Sequence, residues 1–146
     1  MLRLACVIDS DIAIDYLRTR DYAAGLLAAW TQKGRVCISA LTYFEVYQGT
    51  RPHEERHTAV FLNGLFTVDT DISVARQAGN ISRQLASRGV TMGAADAIIA
   101  ATALELGVPL VTNNVRHYSV PGLTVVHGKR GDSFRIGERR RRYSAK

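Results

Sequence analysis

Short apolar runs alternate with longer amphipathic stretches along most of this chain. The short runs are rich in apolar and β-branched residues, and polar or turn-forming residues bound them, which is typical of buried strands. The predicted strands are Leu4–Ile8, Val36–Ser39, Phe66–Val68, Leu110–Thr112 and Thr124–His127.

The longer stretches carry apolar residues at intervals of three and four, which predicts helices. Several have capping residues: Ser10 and Asp11 precede the first, Asp71 or Ser73 precedes the fifth, and Gly107 follows the sixth. The predicted helices run from Ile12 to Leu17, Tyr22 to Gln32, Leu41 to Gln48, Pro52 to Leu65, Asp71 to Arg88 and Ala94 to Leu106.

This alternation of strands and helices predicts the fold class. Short strands that alternate with helices imply right-handed crossovers and parallel pairing, with helices on both faces of the sheet. We therefore expect an α/β fold with a central, mostly parallel sheet of four to five strands, formed by one domain over residues 1–128.

The composition agrees with a globular domain. The chain of 146 residues is 47% hydrophobic and 22% charged, the balance of an ordinary soluble protein. No apolar run approaches the roughly 20 residues that span a bilayer. The short apolar stretch near the N-terminus ends in Asp9 and reads as a strand rather than a signal peptide. We expect a cytoplasmic protein that does not enter a membrane.

The positive charge is concentrated at one end of the sequence. The formal net charge is +6, and residues 129–146 hold eight basic and two acidic side chains. The remaining residues hold 11 of each sign, so residues 1–128 are neutral overall. We expect 129–146 to be a flexible basic tail; such a tail can bind phosphates or can simply be solvated, and charge does not decide between them.

Polar residues follow several predicted strands. Asp9 follows the first strand, and Thr112 and Asn114 lie at the end of the fourth. Glu45 lies in the helix after the second strand, and Asp96 lies in the first turn of the Ala94–Leu106 helix. Ligands of open parallel sheets bind beyond the carboxyl ends of the strands, so these residues are candidates for a site.

Each of these residues also has a structural interpretation, such as a helix cap or a turn. Glu45 and Asp96 are flanked by apolar residues, where a lone charge is costly without a partner. No lysine occurs between Lys33 and Lys129, although arginines in that interval leave protein ion pairs possible. Several acids that converge at one sheet edge suit a hard divalent ion, Mg²⁺ or Mn²⁺.

Four segments that contain these candidates follow one another along the chain: Val7-Ile8-Asp9-Ser10-Asp11, Ile38 to Val46, Ala95 to Ala103 and Leu110 to Tyr118. In this order they resemble the motifs of PIN-domain nucleases, and among them the VapC-type toxins. The resemblance spans residues 4–127, and the order of the four motifs is more specific than any one of them.

The resemblance implies a three-layer α/β/α sandwich and a metal-dependent endoribonuclease that cleaves RNA. It places the acidic pocket on Asp9, Glu45 and Asp96, which would hold Mg²⁺ or Mn²⁺. Asn114 stands where a fourth acid often occurs and completes the predicted catalytic set. Asp11 and Thr112 would orient the ligands by hydrogen bonds. His117 stands where some relatives carry another aspartate.

The resemblance also implies partners: an RNA substrate, a VapB-like antitoxin and a second copy of the chain in a homodimer. The main alternative is a catalytically inactive PIN-fold module that holds RNA or a protein partner. A haloacid-dehalogenase-like phosphatase would also use aspartates placed like Asp9 and Asp11. That chemistry needs a lysine, as does a phospho-receiver domain, and the middle of the chain contains none.

Overall fold

The computed structural model describes residues 3–136. Strands and helices alternate through this part of the chain. The strands are β1 (Leu4–Ile8), β2 (Arg35–Ser39), β3 (Phe66–Val68), β4 (Leu110–Thr112), β5 (Thr124–His127) and β6 (Ser133–Arg135). The α-helices are α1 (Ser10–Leu17), α2 (Asp21–Thr31), α3 (Ala40–Gln48), α4 (Glu55–Asn63), α5 (Ile72–Ala86) and α6 (Ala94–Leu106). Two 3-10 helices span Pro52–Glu54 and Val115–Tyr118.

The strands form a single sheet in the order β3-β2-β1-β4-β5-β6. Strands β1 to β5 are parallel to one another, and β6 is antiparallel to β5. The predicted α/β class with a mostly parallel sheet is confirmed. The predicted number of four to five strands is wrong, because β6 adds a sixth within the described residues.

The sixth strand belongs to a hairpin that crosses the predicted domain boundary at residue 128. The backbone N–H of Gly131 donates to the carbonyl of His127 at 2.7 Å, and Gly131 has a φ of +76° that glycine adopts readily. This turn returns the chain so that Ser133–Arg135 pairs with β5. The first residues of the expected flexible tail are therefore part of the sheet, and residues 137–146 lie outside the described part.

Successive strand residues point to opposite faces of the sheet, so a strand of apolar residues gives both faces an apolar surface. Helices cover both of these faces. One core contains the buried residues of α1 to α4 and the β1 residues Cys6 and Ile8. The other contains those of α5 and α6 and the β1 residue Val7. The three-layer α/β/α sandwich is confirmed. None of the helices in residues 3–136 is long and apolar enough to cross a membrane.

Two local features refine the predicted helices. The segment predicted as one helix from Pro52 begins with the 3-10 turn, and α4 follows from Glu55. The predicted cap at Gly107 is confirmed, since this residue ends α6 in the left-handed region with a φ of 67°.

The centre of the sheet contains the crossover point that positions the site. From β1 the chain moves to β2 on one side, and β4 later pairs with β1 on the other side. Val7 is in register with Leu110, and Ile8 with Val111, so β1 and β4 end beside each other. A crevice opens at such a point beyond the carboxyl ends of the strands. Asp9 and Thr112 lie at this edge.

Candidate active site

Asp9 joins the end of β1 to the start of α1 and is held from two sides. Its Oδ1 accepts a hydrogen bond of 2.8 Å from the backbone N–H of Ser10, and its Oδ2 accepts one of 2.8 Å from the hydroxyl of Thr112. The residue is only 6% exposed. Burial raises the pKa of Asp9, and the charge of Asp96 adds to this effect although the hydrogen bonds oppose it.

Asp11 binds the loop that follows β4. Its Oδ2 accepts hydrogen bonds from the backbone N–H of Asn113 at 2.9 Å and from Nδ2 of Asn114 at 3.3 Å. Burial, followed by the charge of Asp9, raises the pKa of Asp11 to about 6. Asn114 is thus close to Asp11, and the amide of its side chain donates to an acid of the site.

Tyr118 connects Asp9 to Asp96. Its hydroxyl donates to Oδ1 of Asp96 at 3.1 Å and lies near enough to Asp9 to interact with that carboxylate too. The tyrosine is 2% exposed, and its pKa is raised by burial and by the charges of both carboxylates. On the other side of Asp96, Nδ1 of His117 lies 3.4 Å from Oδ2. One buried hydroxyl therefore brings the two predicted aspartates together.

Glu45 reaches the same edge from α3. Its Oε1 accepts a hydrogen bond of 2.7 Å from the hydroxyl of Ser10, which stands between Asp9 and Asp11 in the sequence. Ser39, the cap of α3, ends β2 beside β1, so the first turns of α3 begin at this edge. Glu45 is therefore linked to the site by its hydrogen bond with the hydroxyl of Ser10, the residue next to Asp9.

Asn113 has a larger structural role than its place in the sequence motif indicated. Its Nδ2 donates to the hydroxyl of Tyr22 at 2.7 Å, and its Oδ1 accepts from the backbone N–H of Lys129 at 3.1 Å. Because its own backbone N–H donates to Asp11, Asn113 ties α2 and the β5–β6 turn to the acidic edge. The sequence signal for this role is its position directly after Thr112, the last residue of β4.

The chemistry of these donors fits a hard divalent cation, which prefers carboxylate oxygen ligands. Within residues 3–136, neither Asp9 nor Asp11 forms an ion pair with a basic side chain. In that same part of the chain, no three His, Cys, Asp or Glu side chains are grouped closely enough to hold a metal ion. Ligation by Asp9, Glu45 and Asp96 therefore stays a prediction, and it requires movement of the side chains that now contact hydroxyl groups.

These features define a class of protein: an α/β/α sandwich with several acids at the crossover point of a parallel sheet. The family model for the PIN domain matches residues 6–123. Ribonuclease VapC19 of Mycobacterium tuberculosis (strain CDC 1551 / Oshkosh) is 34% identical over 113 residues, which are 77% of this chain and 90% of that protein. The chain belongs to the PIN-domain family, within its VapC group.

A further relative and a solved structure also carry the VapC or VapBC name. Ribonuclease VapC2 of Haemophilus influenzae (strain ATCC 51907 / DSM 11121 / KW20 / Rd) is 34% identical over 121 residues, which cover 79% of this chain and 90% of that protein. The crystal structure of DNA-bound VapBC from Salmonella typhimurium contains a chain with a TM-score of 0.74 and 29% identity. The match covers 84% of this chain and 97% of that one. VapC nucleases of the PIN family generally depend on a divalent metal.

Proposed function

We propose that this protein is an endoribonuclease that hydrolyses RNA phosphodiester bonds with Mg²⁺ or Mn²⁺ in the cytoplasm, as the toxin of a toxin–antitoxin pair. The observation that carries the proposal is the pair of aspartates, Asp9 and Asp96, that meet at one tyrosine hydroxyl. Acids gathered at a parallel-sheet edge suit a divalent ion. The ribonuclease names of VapC19 and VapC2 support the choice of RNA as the substrate.

In this proposal Asp9 and Asp96 hold the ion, and Glu45 completes its surroundings or orients the attacking water. The ion, when bound, lowers the pKa of water and stabilises the charge that develops on the phosphate. Thr112 fixes the orientation of Asp9 by its hydrogen bond to Oδ2. Asp11 holds the β4 loop, and Asn114 supplies an amide in place of a further negative charge.

We further propose a VapB-like antitoxin and a second copy of the chain as protein partners. The Salmonella typhimurium relative was solved as a VapBC assembly, which supports the first of these. On α3, Phe44 is 58% exposed, and the ring of Tyr43 stacks on that of Tyr47 with centroids 6.1 Å apart. An exposed aromatic surface of this kind favours contact with another protein.

The test is cleavage of labelled RNA by the purified protein with Mg²⁺, with Mn²⁺ and with EDTA. We expect cleavage with either ion, none with EDTA, and none by Asp9→Asn or Asp96→Asn. Asp69→Asn is the matched control, since Asp69 is exposed and lies in the loop after β3. Circular dichroism should show that every variant keeps the fold.

Titration calorimetry with Mn²⁺ tests the metal separately. Heat of binding in the wild type and Asp69→Asn, but not in Asp96→Asn, is the expected result. Undiminished cleavage by Asp96→Asn would reject the assignment of the site. Retention of labelled RNA without cleavage under any metal condition would instead identify a non-catalytic module.

A further inference from the structure

The β5–β6 hairpin forms one wall of a hollow of about 480 Å³ beside the acidic edge. The opposite wall comes from the 3-10 helix Val115–Tyr118 and the residue that follows it. The family match ends at residue 123, so Thr124–Arg135, the span of the hairpin, lies beyond it.

The hollow carries positive charge. Arg116, Arg130 and Arg135 all line it, and none of the described residues that line it is acidic. The side chain of Arg130 is 60% exposed, although its Nε lies 3.3 Å from a carboxylate oxygen of Asp132. A guanidinium group fits a phosphate with two parallel hydrogen bonds, so arginines in a hollow suit a phosphodiester backbone.

The hollow leads to the acidic edge. Tyr118 lines it and donates its hydroxyl hydrogen bond to Asp96. Arg116 lines the hollow too, and it also lines a smaller one of about 270 Å³ that contains Asp96 and His117. The two hollows therefore adjoin at Arg116, and Asp96 lines the smaller one.

Apolar surface lies between the charged groups. Phe134 is partly exposed on β6, and Ile136 beside it is 46% exposed. Proteins that bind single-stranded RNA combine basic grooves with aromatic or guanidinium surfaces on which unpaired bases stack. The combination found here fits a single strand, because the bases of a duplex are already stacked on each other.

We infer that the hollow between the β5–β6 hairpin and the Val115–Tyr118 turn binds the single-stranded RNA that flanks the scissile phosphate. This inference rests on the proposed function and names the part of the substrate that the hairpin recognises. Arg116 and Arg130 bind phosphates, and Phe134 contacts a base. In the sequence, a run of four arginines, Arg139–Arg142, follows soon after Ile136.

The first test measures binding without cleavage. The full-length protein is titrated in EDTA into a short fluorescent single-stranded RNA at several salt concentrations, and affinity is read from anisotropy. Each phosphate contact to single-stranded nucleic acid contributes about 0.7 to the slope of log K against log salt. We expect Arg116→Ala and Arg130→Ala each to lower the slope by about that amount. Arg76→Ala, an exposed arginine of α5, is the matched control and should leave it unchanged.

The second test uses cleavage of an RNA with a known cut position, compared with the same RNA shortened on one side. Removing the flank that occupies the hollow should raise KM for the wild type. It should raise KM much less for the Arg116→Ala/Arg130→Ala double variant, because that variant has already lost the contacts. The kcat should change little in both cases, since these arginines bind substrate without being assigned to the reacting atoms.

Three results would overturn the inference. The first is a salt slope for Arg116→Ala and Arg130→Ala equal to that of Arg76→Ala, and the second is an equal rise of KM in the wild type and the double variant, whichever side of the RNA is shortened. The third is that the double variant loses antitoxin binding while its affinity for RNA is unchanged. The last would assign the hollow to an acidic protein segment. Failure of the proposed function looks different, because wild-type protein would then show the arginine-dependent slope in EDTA but no cleavage in any metal.

Discussion

The hydroxyl of Thr112 donates a 2.8 Å hydrogen bond to Oδ2 of Asp9, a residue 103 positions earlier in the chain. The two residues come together because β1 and β4 are neighbours and end at the same edge. The same hydroxyl oxygen accepts a 3.0 Å hydrogen bond from the backbone N–H of Asn114. Thr112 therefore fixes both the orientation of an acid of the site and the start of the loop beside it.

Replacing Thr112 with valine should damage the site more than the fold. The change leaves Oδ2 of buried Asp9 without its donor, which typically costs about 1–3 kcal/mol of unfolding free energy. Loss of such an orienting contact usually lowers metal affinity by roughly 10–100-fold. Denaturant unfolding and Mn²⁺ calorimetry measure the two effects. Thr112→Ser keeps the hydroxyl and should retain most of the metal affinity; equal losses in both variants would contradict the proposed role.

Tyr118→Phe should destabilise the metal-free protein more than the metal-bound one. Without the hydroxyl, Asp96 loses its donor and Asp9 loses a neighbouring polar group, at a cost of about 1–3 kcal/mol. A divalent cation would compensate, because it supplies positive charge to both carboxylates. Thermal unfolding in EDTA and in saturating Mn²⁺ measures the difference.

The control for this change is Tyr16→Phe, since Tyr16 stacks on Phe61 away from the site with ring centroids 4.4 Å apart. Its effect on melting temperature should be the same with and without Mn²⁺. A Tyr118→Phe variant whose deficit is equally insensitive to Mn²⁺ would show that the hydroxyl does not act through the two acids.

The stability of the metal-free protein should fall as pH rises from about 4 to about 6. The pKa of Asp11 is raised to about 6 in the folded protein from 3.8, so the native state binds a proton that the unfolded state has released. Stability from this proton is complete below the lower value and is lost as pH rises through the higher one. The contribution is at most about 3 kcal/mol, at about 1.4 kcal/mol for each pH unit.

Asp11→Asn should flatten this dependence, because an amide does not titrate in that range. Urea unfolding in EDTA, at several pH values, compares the variant with the wild type and with Asp69→Asn, which should keep the wild-type slope. Parallel curves for the wild type and Asp11→Asn would disprove the assigned pKa.

Gly128→Ala should lower both stability and RNA cleavage. A Cβ at this position would lie 2.5 Å from Cδ1 of Ile12 and 2.8 Å from Oδ1 of Asn113. Ile12 is fully buried and Asn113 is held by hydrogen bonds, so neither side chain moves easily, and crowding of this kind costs about 1–3 kcal/mol.

Gly79→Ala is the contrasting variant. Gly79 lies within α5, and a Cβ added there would meet no neighbouring atom within 4 Å, so alanine should raise unfolding free energy by about 0.5–1 kcal/mol. Thermal unfolding ranks the two variants against the wild type. A Gly128→Ala protein as stable as the wild type would mean that the turn after β5 can move away from Asn113.

The alternation of apolar runs and helical periodicity was enough to predict the five parallel strands. The strand β6 was missed because it is a short edge strand in a polar, basic sequence. Its formation depends on pairing with β5 through the turn at Gly131, and pairing is a tertiary property. Apolar periodicity therefore identifies strands that are buried in the sheet more readily than those at its edge.

The acidic residues were predictable as candidates, but their connections were not. Asp9 and Asp11 stand directly after a predicted strand, which is a local signal. The contacts of Tyr118 with Asp9 and of Ser10 with Glu45 join distant segments, and the residue types alone do not predict them. The role of Asn113 likewise depends on the β5–β6 turn, which the charge pattern had assigned to a tail.

The outermost strands, β3 and β6, are each three residues long. The unpaired backbone N–H and C=O groups of an edge strand can pair with strands of other molecules and so begin aggregation. A very short edge strand has few such unpaired groups. Arg135 adds charge at one rim, and Phe66 at the other is covered in part by the guanidinium of Arg35 at 5.8 Å. We therefore expect this chain to remain dispersed at concentrations where a protein with a long, flat rim would form fibrils.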